Sequence, residues 1–255
     1  MSEHKLYPGA VVIHGASRGI GLAFVRALVA DHCSDRIIAT CRCPASAGAL
    51  RRLADEHDPR IDIVQMDVTD EASVAAAAMQ IEKKVQCVSM MLCCAGILHT
   101  DSFGPERRLD DINPSTLHAV FAVNAFGPLL IAKHFSRLFD RKARTVLVNL
   151  SARVGSIGDN RLGGWYSYRA AKAALNMFTR NLSIELKRKH QGIICVAMHP
   201  GTVDTKLSRP FQRSVPKQKI FTADQAVAFM LEVIDGLGPN HNGRFYAWDG
   251  SEIIW

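Results

Sequence analysis

The sequence predicts one doubly wound α/β domain spanning residues 1–255, with about seven parallel strands and helices on both faces of the sheet. Short, continuous apolar runs alternate with longer segments of helical periodicity along the chain. Strands that are apolar throughout are typical of a parallel sheet buried on both faces. A chain of 255 residues fits one such domain, and no repeat, linker or low-complexity tract divides it.

The strands and helices follow from local patterns. Runs rich in β-branched residues predict seven strands, at residues 10–14, 36–40, 61–66, 89–94, 145–150, 193–199 and 244–247. Helical patterns fill the intervals, at residues 19–32, 44–57, 70–85, 114–138, 165–190 and 222–236. Asn113 before Pro114 and the capping box formed by Thr222 and Gln225 mark two helix starts. The crossovers between parallel strands are expected to be right-handed.

Composition and charge exclude several classes of protein. Apolar residues make up 48% and charged residues 22% of the chain, which is ordinary for a globular protein. No stretch approaches the ~20 apolar residues of a membrane span, and no basic leader opens the chain, so we expect neither a membrane segment nor a signal peptide. The net charge of +7 is spread in short basic doublets, which disfavours nucleic-acid binding but suits an anionic ligand.

The seven cysteines do not form a framework for disulfides or for a metal. Their number is odd and several stand in apolar stretches, which indicates a reducing, cytoplasmic compartment. The pairs Cys41-x-Cys43 and Cys93-Cys94 lack the matching second cluster that a zinc site needs. We therefore expect buried thiols and no metal.

The turn after the first strand is the first candidate site, because ligands of doubly wound sheets bind beyond the carboxyl ends of the strands. Glycines permit a tight turn and close approach to a pyrophosphate, which the positive helix N-terminus attracts. The alternative is an ordinary glycine-rich turn, since the spacing G-x-x-x-G-x-G differs from the G-x-G-x-x-G dinucleotide fingerprint. The candidate cofactor contacts in this turn are Gly15, Ser17, Arg18, Gly19, Ile20 and Gly21.

The end of the second strand indicates which dinucleotide binds. A free ribose 2′-hydroxyl usually meets an acidic residue here, whereas a 2′-phosphate needs cations. The sequence offers Arg42 at this position, together with Arg18, and no acidic residue. The planar guanidinium fork suits a phosphate, so NADP(H) is favoured over NAD(H). The alternative is that both arginines are solvated surface side chains.

Two further strand ends complete the predicted cofactor site. Asp67 and Val68 follow the third strand, where the carboxylate could hold an adenine amino group or could instead cap the next helix. Cys94, Ala95 and Gly96 follow the fourth strand, and such small residues let a flat ring or ribose lie against the backbone. The long loop at 97–113 is a candidate pocket wall.

The fifth strand and its helix carry the candidate catalytic groups. Ser151 follows the strand, and Tyr168 and Lys172 lie four residues apart on one face of the helix. A tyrosine with a pKa of about 10 is a poor acid at neutral pH, but a nearby ammonium would lower that value. Tyr168 could then protonate a carbonyl oxygen that Ser151 hydrogen-bonds. Tyr166 faces nearly the opposite way from Tyr168 on the helix. The alternative for Tyr168 and Lys172 is an ordinary pair on the surface of an amphipathic helix.

Together these motifs resemble the short-chain dehydrogenase/reductase family over nearly the whole chain. The resemblance rests on the glycine turn, Asp67-Val68, Cys94-Ala95-Gly96, Asn124, Ser151, Tyr168-x-x-x-Lys172 and Pro200-Gly201. It implies a Rossmann fold in which Tyr168 is the general acid or base and Ser151 orients the carbonyl. It implies that Lys172 holds the nicotinamide ribose and lowers the tyrosine pKa, while Asn124 helps to hold a water in a proton relay.

Other parts of the chain extend the resemblance and depart from it. The segment with Pro200, Gly201, Val203 and Thr205 looks like the one that lies under the nicotinamide. The Gly-rich stretch at 158–168 and the ending Trp248-Asp249-Gly250 resemble C-factor and Sniffer-type carbonyl reductases. Cys94 stands where the family usually has asparagine, and the interval of 17 residues from Ser151 to Tyr168 is longer than usual.

The resemblance implies an NADPH-dependent reductase of ketones or aldehydes, or the reverse alcohol dehydrogenase. The alternative is a non-catalytic NADP(H)-binding signalling or sensor protein, while an epimerase or dehydratase would need a larger C-terminal substrate region. Phe103, Trp165 and Phe211 predict apolar walls around a small carbonyl or alcohol substrate. The apolar surfaces of the helices at 114–138 and 165–190 predict a homodimer or homotetramer.

Overall fold

The computed structural model describes residues 9–31, 34 and 36–255. Its main sheet has seven parallel strands in the order β3-β2-β1-β4-β5-β6-β9. These strands are β1 Ala10–His14, β2 Ile37–Cys41, β3 Ile61–Gln65, β4 Val88–Cys93, β5 Thr145–Leu150, β6 Ile193–His199 and β9 Arg244–Ala247. The strand order reverses between β1 and β4, so the cleft for a ligand is expected at the carboxyl ends of those two strands. The predicted doubly wound fold is confirmed.

The predicted strands agree with the structure to within a residue at each end. The strands at 10–14, 145–150, 193–199 and 244–247 are as predicted, while β2, β3 and β4 are displaced or shortened by one residue. The agreement follows from burial, because every residue of β1, β2, β4 and β5 is buried and a fully apolar run is what such strands require.

Within the residues described, seven α-helices cover the sheet. They are α1 Gly19–Ala30, α2 Gly48–Glu56, α3 Glu71–Glu82, α4 Pro114–Phe121, α5 Gly127–Phe135, α6 Tyr166–Lys187 and α7 Ala223–Gly236. The predicted caps are confirmed: Asn113 accepts from Ser115 N at the start of α4, and Thr222 with Gln225 forms a capping box on α7. The helices α4 and α7 thus start where a side chain satisfies an otherwise unpaired N–H.

The helical segment at 114–138 departs from the sequence analysis in two ways. It is interrupted by a π-helical turn, Ala122–Phe126, between α4 and α5. By length and composition alone it could also cross a membrane, which corrects the expectation that no stretch of this chain qualifies. In the structure the segment packs within the fold, with α4 and α5 against α6 and with α5 also against α3.

The core forms two apolar layers, one on each face of the sheet. Alternate residues of β1 enter different layers, as the two-residue period of a strand requires. Val11 and Ile13 pack in the layer that contains α1 and α7, whereas Val12 packs in the layer that contains α3, α5 and α6. With both faces covered, the carboxyl edge of the sheet is the place where polar side chains can gather.

The chain after β6 forms a second, two-stranded sheet at this edge. Strands β7 Thr202–Val203 and β8 Ile220–Phe221 pair in parallel, with Val203 opposite Phe221. Between them the chain makes short 3-10 turns at Arg209–Ser214 and Lys217–Lys219. This pairing holds the segment 204–219 beside the ends of the central strands.

Candidate active site

The glycine turn follows β1 and lies against the residues that follow β4. Gly15 has a φ of +79°, and a Cβ on it would lie 2.7 Å from the backbone nitrogen of Ala95. Both facts exclude larger residues at this position. The turn therefore brings the backbone after β1 against the small residues that follow β4, as the sequence analysis expected for Gly15 and Ala95.

The start of α1 is open to an anion. Its N-cap residue is Arg18, whose extended backbone leads into the helix without a side-chain cap, and the first turn contains no acidic residue. The unpaired N–H groups and the helix dipole therefore have no acceptor from this turn. A Cβ on Gly19 would lie 3.5 Å from the Thr205 methyl group, so the turn faces the segment after β6. Ser17 and Ile20 are half-buried in the same turn, and a Cβ on Gly21 would lie 2.4 Å from the Gly15 carbonyl oxygen.

The two arginines predicted to hold a 2′-phosphate are available for that role. Arg18 and Arg42 are both exposed at the carboxyl edge, after β1 and β2. Within the ranges that the structure describes, neither guanidinium pairs with a carboxylate. An anion that binds between them would therefore compete with no internal ion pair.

Asp67 does not cap the following helix. Its Oδ1 accepts from the backbone N–H and the hydroxyl of Thr69, while Asp70 caps α3 by accepting from Ala72 N. The capping alternative for Asp67 is therefore wrong. Val68 is buried against the second helix layer, and a Cβ on Gly127 would lie 3.0 Å from its Cβ. Val68 thus anchors the strand end that presents Asp67.

The helix α6 brings the predicted catalytic groups together. Tyr168 is buried on the inner face of α6, whereas Tyr166 is exposed, as their separation on the helix predicts. Lys172 Nζ lies 5.8 Å from the centroid of the Tyr168 ring and donates to the Leu150 carbonyl at 2.7 Å. Ser151 is the next residue after Leu150, so all three groups converge on the end of β5.

A fourth polar residue of α6 joins this group. The Ser151 hydroxyl donates to Asn176 Oδ1 at 2.6 Å, and Asn176 Nδ2 contacts the Gly155 carbonyl at 3.4 Å. Asn176 is not predicted from the sequence, although it stands four residues after Lys172 and eight after Tyr168 and so shares their helix face. Asn176 therefore sets the orientation of the serine hydroxyl.

Burial shifts the ionisation of both α6 groups toward neutrality. It raises the pKa of Tyr168 above its ordinary value and lowers the pKa of Lys172 to about 8. The expected lowering of the tyrosine pKa by the lysine is thus wrong. The physical reason is that desolvation of the buried Tyr168 phenol has a larger effect on its pKa than the Lys172 ammonium. This ammonium donates to the Leu150 carbonyl rather than to the phenol.

Asn124 occupies the π-helical turn between α4 and α5. Its Nδ2 donates to the Ile97 carbonyl at 2.7 Å, and its Oδ1 accepts from Ile97 N at 3.1 Å. A Cβ on Gly96 would lie 3.1 Å from Asn124 Oδ1 and 4.0 Å from Lys172 Nζ. Asn124 therefore fixes the chain just after β4 and lies close to the lysine. A π turn within an α-helix often marks a functional site.

The substitution of cysteine for the usual asparagine leaves the strand end intact. The Cys94 backbone N–H donates to the His14 carbonyl at 2.9 Å. Burial raises the pKa of its thiol well above the ordinary value, so the side chain is uncharged at neutral pH. Cys94 thus serves as a small, neutral wall beside Lys172.

The residues after β6 are held by an aromatic cluster. A Cβ on Gly201 would lie 2.8 Å from the ring of Phe221, which packs at 4.6 Å from the ring of Trp248. Pro200 leads into this turn, and Val203 and Thr205 continue it toward the glycine turn of α1. His199, the last residue of β6, is neutral, since burial lowers its pKa to about 4.

The extra residues between Ser151 and Tyr168 pack against the end of the chain. Gly158 N donates to the Trp255 carbonyl at 2.9 Å, and the Trp255 ring stacks on Phe245 of β9. Arg153 forms an ion pair with Asp159 across the same stretch. The lengthened interval is therefore an ordered loop that leaves the β5 end and α6 in place.

A cleft of about 600 Å³ opens beside Trp165. We call it the aromatic cleft. It is lined by residues 99–107 with Asp111, Trp165, Pro210 and Phe211. The Trp165 ring lies 5.0 Å from Phe211 and 6.3 Å from Tyr168, centroid to centroid. Phe103, Trp165 and Phe211, which were predicted to be apolar walls, all line this cleft.

The comparison with known families agrees with this geometry. The sequence model of the short chain dehydrogenase family matches residues 9–215. The chain belongs to this family. A short-chain dehydrogenase is an oxidoreductase, and the region matched runs from the glycine turn through the polar face of α6 to the segment 204–215.

Three members of the family show how close the similarity is. The NADPH-bound carbonyl reductase from chicken fatty liver is 33% identical, with a TM-score of 0.87 over 98% of this chain and 100% of that one. Carbonyl reductase Sniffer of D. melanogaster is 27% identical, with a TM-score of 0.85 over the same shares. C-signal of Myxococcus xanthus is 36% identical over 58% of this chain and 83% of that protein. The resemblance to C-factor and Sniffer-type reductases is confirmed.

Proposed function

We propose that this short-chain dehydrogenase uses NADPH to reduce a ketone or aldehyde to an alcohol, or catalyses the reverse oxidation. The observation that carries the proposal is the convergence of Ser151, Tyr168 and Lys172 on the end of β5, beside the aromatic cleft. The similarity to an NADPH-bound carbonyl reductase supports the same reaction and the same cofactor.

The carboxyl edge of the sheet fits NADP(H). The open N-terminus of α1 suits the pyrophosphate, and Arg18 with Arg42 suits the 2′-phosphate. Asp67-Val68 would flank the adenine, Cys94, Ala95 and Gly96 a ribose, and Pro200, Gly201, Val203 and Thr205 the nicotinamide. When bound, NADPH supplies a hydride to the carbonyl carbon, while one proton must reach the carbonyl oxygen.

The side chains of α6 and β5 supply that proton and steer the carbonyl. The Tyr168 hydroxyl donates its proton to the carbonyl oxygen. Because burial raises the pKa of this hydroxyl, it stays protonated until the reaction. The resulting phenolate is stabilised by the Lys172 ammonium, which is charged below a pH of about 8. Positioned acids of this kind contribute about 10²–10⁴-fold to a rate.

The Ser151 hydroxyl has to change partner before it can act. Its proton is directed to Asn176 Oδ1 in the structure, and a hydroxyl has only one proton to donate. Rotation about the serine side chain would redirect it to the substrate oxygen. Asn124 makes two side-chain hydrogen bonds to Ile97, which fix it close to Lys172, where it would help to hold a relay water.

The test is a measurement of NADPH consumption with a panel of carbonyl compounds. We expect the wild type to oxidise NADPH with at least one aromatic aldehyde, ketone or quinone and to form the matching alcohol. NADPH binding, followed by its fluorescence, is measured on the same samples. Binding without turnover on the whole panel would contradict the reductase and favour the non-catalytic signalling alternative.

We also propose a homodimer or homotetramer built on the helices α4, α5 and α6. Phe126, Met177 and Ile184 are large apolar side chains that stand exposed on these segments. Light scattering is expected to give a multiple of the 28.0 kDa chain mass. The variant Met177→Lys should shift the equilibrium toward monomer, and a mass of one chain at every concentration would contradict the proposal.

A further inference from the structure

Three groups of cations that are scattered in the sequence meet at the amino edge of the sheet. The helices α3, α5 and α6 lie on one face of the sheet and run antiparallel to its strands, so their C-terminal ends gather at this edge. The cations stand at or just after these ends: Lys83-Lys84 after α3, Arg141-Lys142 after α5, and Lys187-Arg188-Lys189 at the end of α6. We call the surface that these residues form the basic edge.

Contacts between the three segments join them into one surface. Glu82, at the end of α3, forms an ion pair with Arg137 beyond α5 at 3.1 Å. The Arg141 carbonyl accepts from Gln191 N at 2.8 Å, which links the segment after α5 to the segment after α6. Packed helices lie about 8–10 Å apart, so the basic edge is about 20 Å wide.

Most cations of the basic edge take part in no internal ion pair. Lys84 pairs with Asp62, and Asp140 accepts from the backbone N–H groups of residues 142 and 143. Glu185 is an exposed carboxylate nearby, and the cations remain in excess over it. Within the part of the chain that the structure describes, six exposed cations of this surface have no carboxylate partner: Lys83, Arg141, Lys142, Lys187, Arg188 and Lys189.

Stabilisation of helix C-termini does not explain this concentration of charge. The helix dipole favours cations at a C-terminal end. The helices on the other face of the sheet end at the same edge with acidic residues, however: Asp31 follows α1, Glu56 ends α2, and Asp235 lies in the last turn of α7. The cations are therefore a property of one face of the molecule and not of its helix ends in general.

The form of the basic edge indicates which kind of anion it fits. Neighbouring helix ends are separated by about one Debye length, so the fields of their cations add at physiological salt. The described segments 82–84, 137–142 and 187–191 contain no exposed aromatic side chain that could stack on a base. The three helices also end at this surface, whereas a helix that reads DNA lies along the major groove. A broad layer of negative charge therefore fits the surface better than a nucleic acid does.

We propose that the basic edge docks this protein on a lipid bilayer that carries anionic headgroups. Clusters of about four to eight Lys and Arg side chains bind such bilayers electrostatically. The docking is reversible and sensitive to salt, because these segments expose no large apolar side chain that would enter the bilayer. The glycine turn and the polar face of α6 lie at the opposite, carboxyl edge and stay open to solvent. This inference goes beyond the proposed function and does not depend on it.

Sedimentation with lipid vesicles tests the docking. The wild-type protein is mixed with vesicles of phosphatidylcholine alone, or with vesicles that contain about one third phosphatidylserine. We expect binding to the phosphatidylserine vesicles at about 0.1 M salt, and binding at least about tenfold weaker at about 0.5 M salt. Phosphatidylcholine vesicles should not bind the protein. Equal binding to both kinds of vesicle, or binding to neither, would overturn the proposal.

Paired substitutions locate the docking surface. The variants Arg141→Gln/Lys142→Gln and Arg188→Gln/Lys189→Gln each remove two cations of the basic edge, and each should weaken binding about tenfold or more. Arg51→Gln/Arg52→Gln removes the same charge from exposed arginines of α2 on the other face, and should change binding less than about twofold. An equal loss in all three variants would show that net charge alone attracts the vesicles, which would overturn the assignment.

Two controls address a disturbed fold and a different partner. Arg141→Lys/Arg188→Lys keeps both charges and should keep vesicle binding; its failure to bind would overturn the electrostatic assignment. Duplex DNA is titrated at the same salt concentrations and should bind more weakly than the phosphatidylserine vesicles. Tighter binding of DNA, weakened by the same two pairs of substitutions, would assign the basic edge to a nucleic acid and overturn the lipid proposal.

Discussion

The glycine turn and the helix α6 make up the two halves of the candidate site, and they are built differently. The turn Gly15–Gly21 and the start of α1 are contiguous in sequence and offer mainly backbone N–H groups to a ligand. The α6 half offers buried side chains whose partners come from distant parts of the chain: Leu150 for Lys172 and Ser151 for Asn176. The glycine-turn half therefore depends on the local backbone conformation, whereas the α6 half depends on packing between segments that are distant in sequence.

This difference predicts that single side chains matter most in the α6 half. Tyr168→Phe should lower kcat by about 10²–10⁴-fold, because the phenol proton has no replacement, while the affinity for NADPH changes little. Tyr166→Phe removes the same group from an exposed position and should keep most of the activity. Steady-state kinetics and NADPH titration measure both. Near-normal kcat in Tyr168→Phe, or a dead Tyr166→Phe, would show that the active tyrosine is misassigned.

The burial of Lys172 should appear in the pH dependence of stability. Burial lowers its pKa from 10.5 to about 8, so between these values the unfolded chain holds more protons and stability rises with pH. The Lys172 contribution to this rise is about 2–3 kcal/mol between about pH 7.5 and 10. Urea unfolding at the two pH values should show that the Lys172→Met variant lacks this contribution to the unfolding free energy. Parallel pH profiles for the two proteins would mean that the lysine is hydrated.

The glycine-turn half should control the choice of cofactor. Arg42→Asp should reverse a preference for NADPH over NADH, since a contact between charged groups contributes about 1.5–3 kcal/mol, or about 10- to 150-fold. Arg188→Asp makes the same charge change just beyond the C-terminal end of α6 and should leave the ratio of kcat/KM values unaltered. Equal kcat/KM for the two cofactors in the wild type would contradict the assignment of Arg18 and Arg42.

The smallest expected effect tests the backbone shape of the turn. Gly15→Ala places a methyl group at a φ of +79° and 2.7 Å from Ala95 N, and should cost about 1–3 kcal/mol of unfolding free energy. Gly236→Ala is the control, because its methyl group would meet no atom within 4 Å and should stabilise α7 by up to about 1 kcal/mol. Urea unfolding measures both variants. Equal effects would show that the turn tolerates a side chain.

Local patterns were sufficient to predict most of the fold. Buried parallel strands such as β1 and β5 must be apolar along their whole length, so their ends were predicted to within a residue. Knowing where strands end places Gly15, Arg42 and Ser151 at one edge of the sheet. The helical period likewise places Tyr168 and Tyr166 on different faces of α6. The strand ends and these helix faces could be predicted because each depends on residues that are neighbours in sequence.

Only the tertiary structure revealed how the side chains of the site are satisfied. Asn176 as the partner of Ser151 and Leu150 as the partner of Lys172 depend on contacts between residues 25 and 22 positions apart. The pKa of Tyr168 depends on how much water the fold excludes, and the sequence suggested the wrong direction. Hydrogen-bond partners and desolvation are properties of packing, and no local pattern records which distant atoms will fill the space around a group.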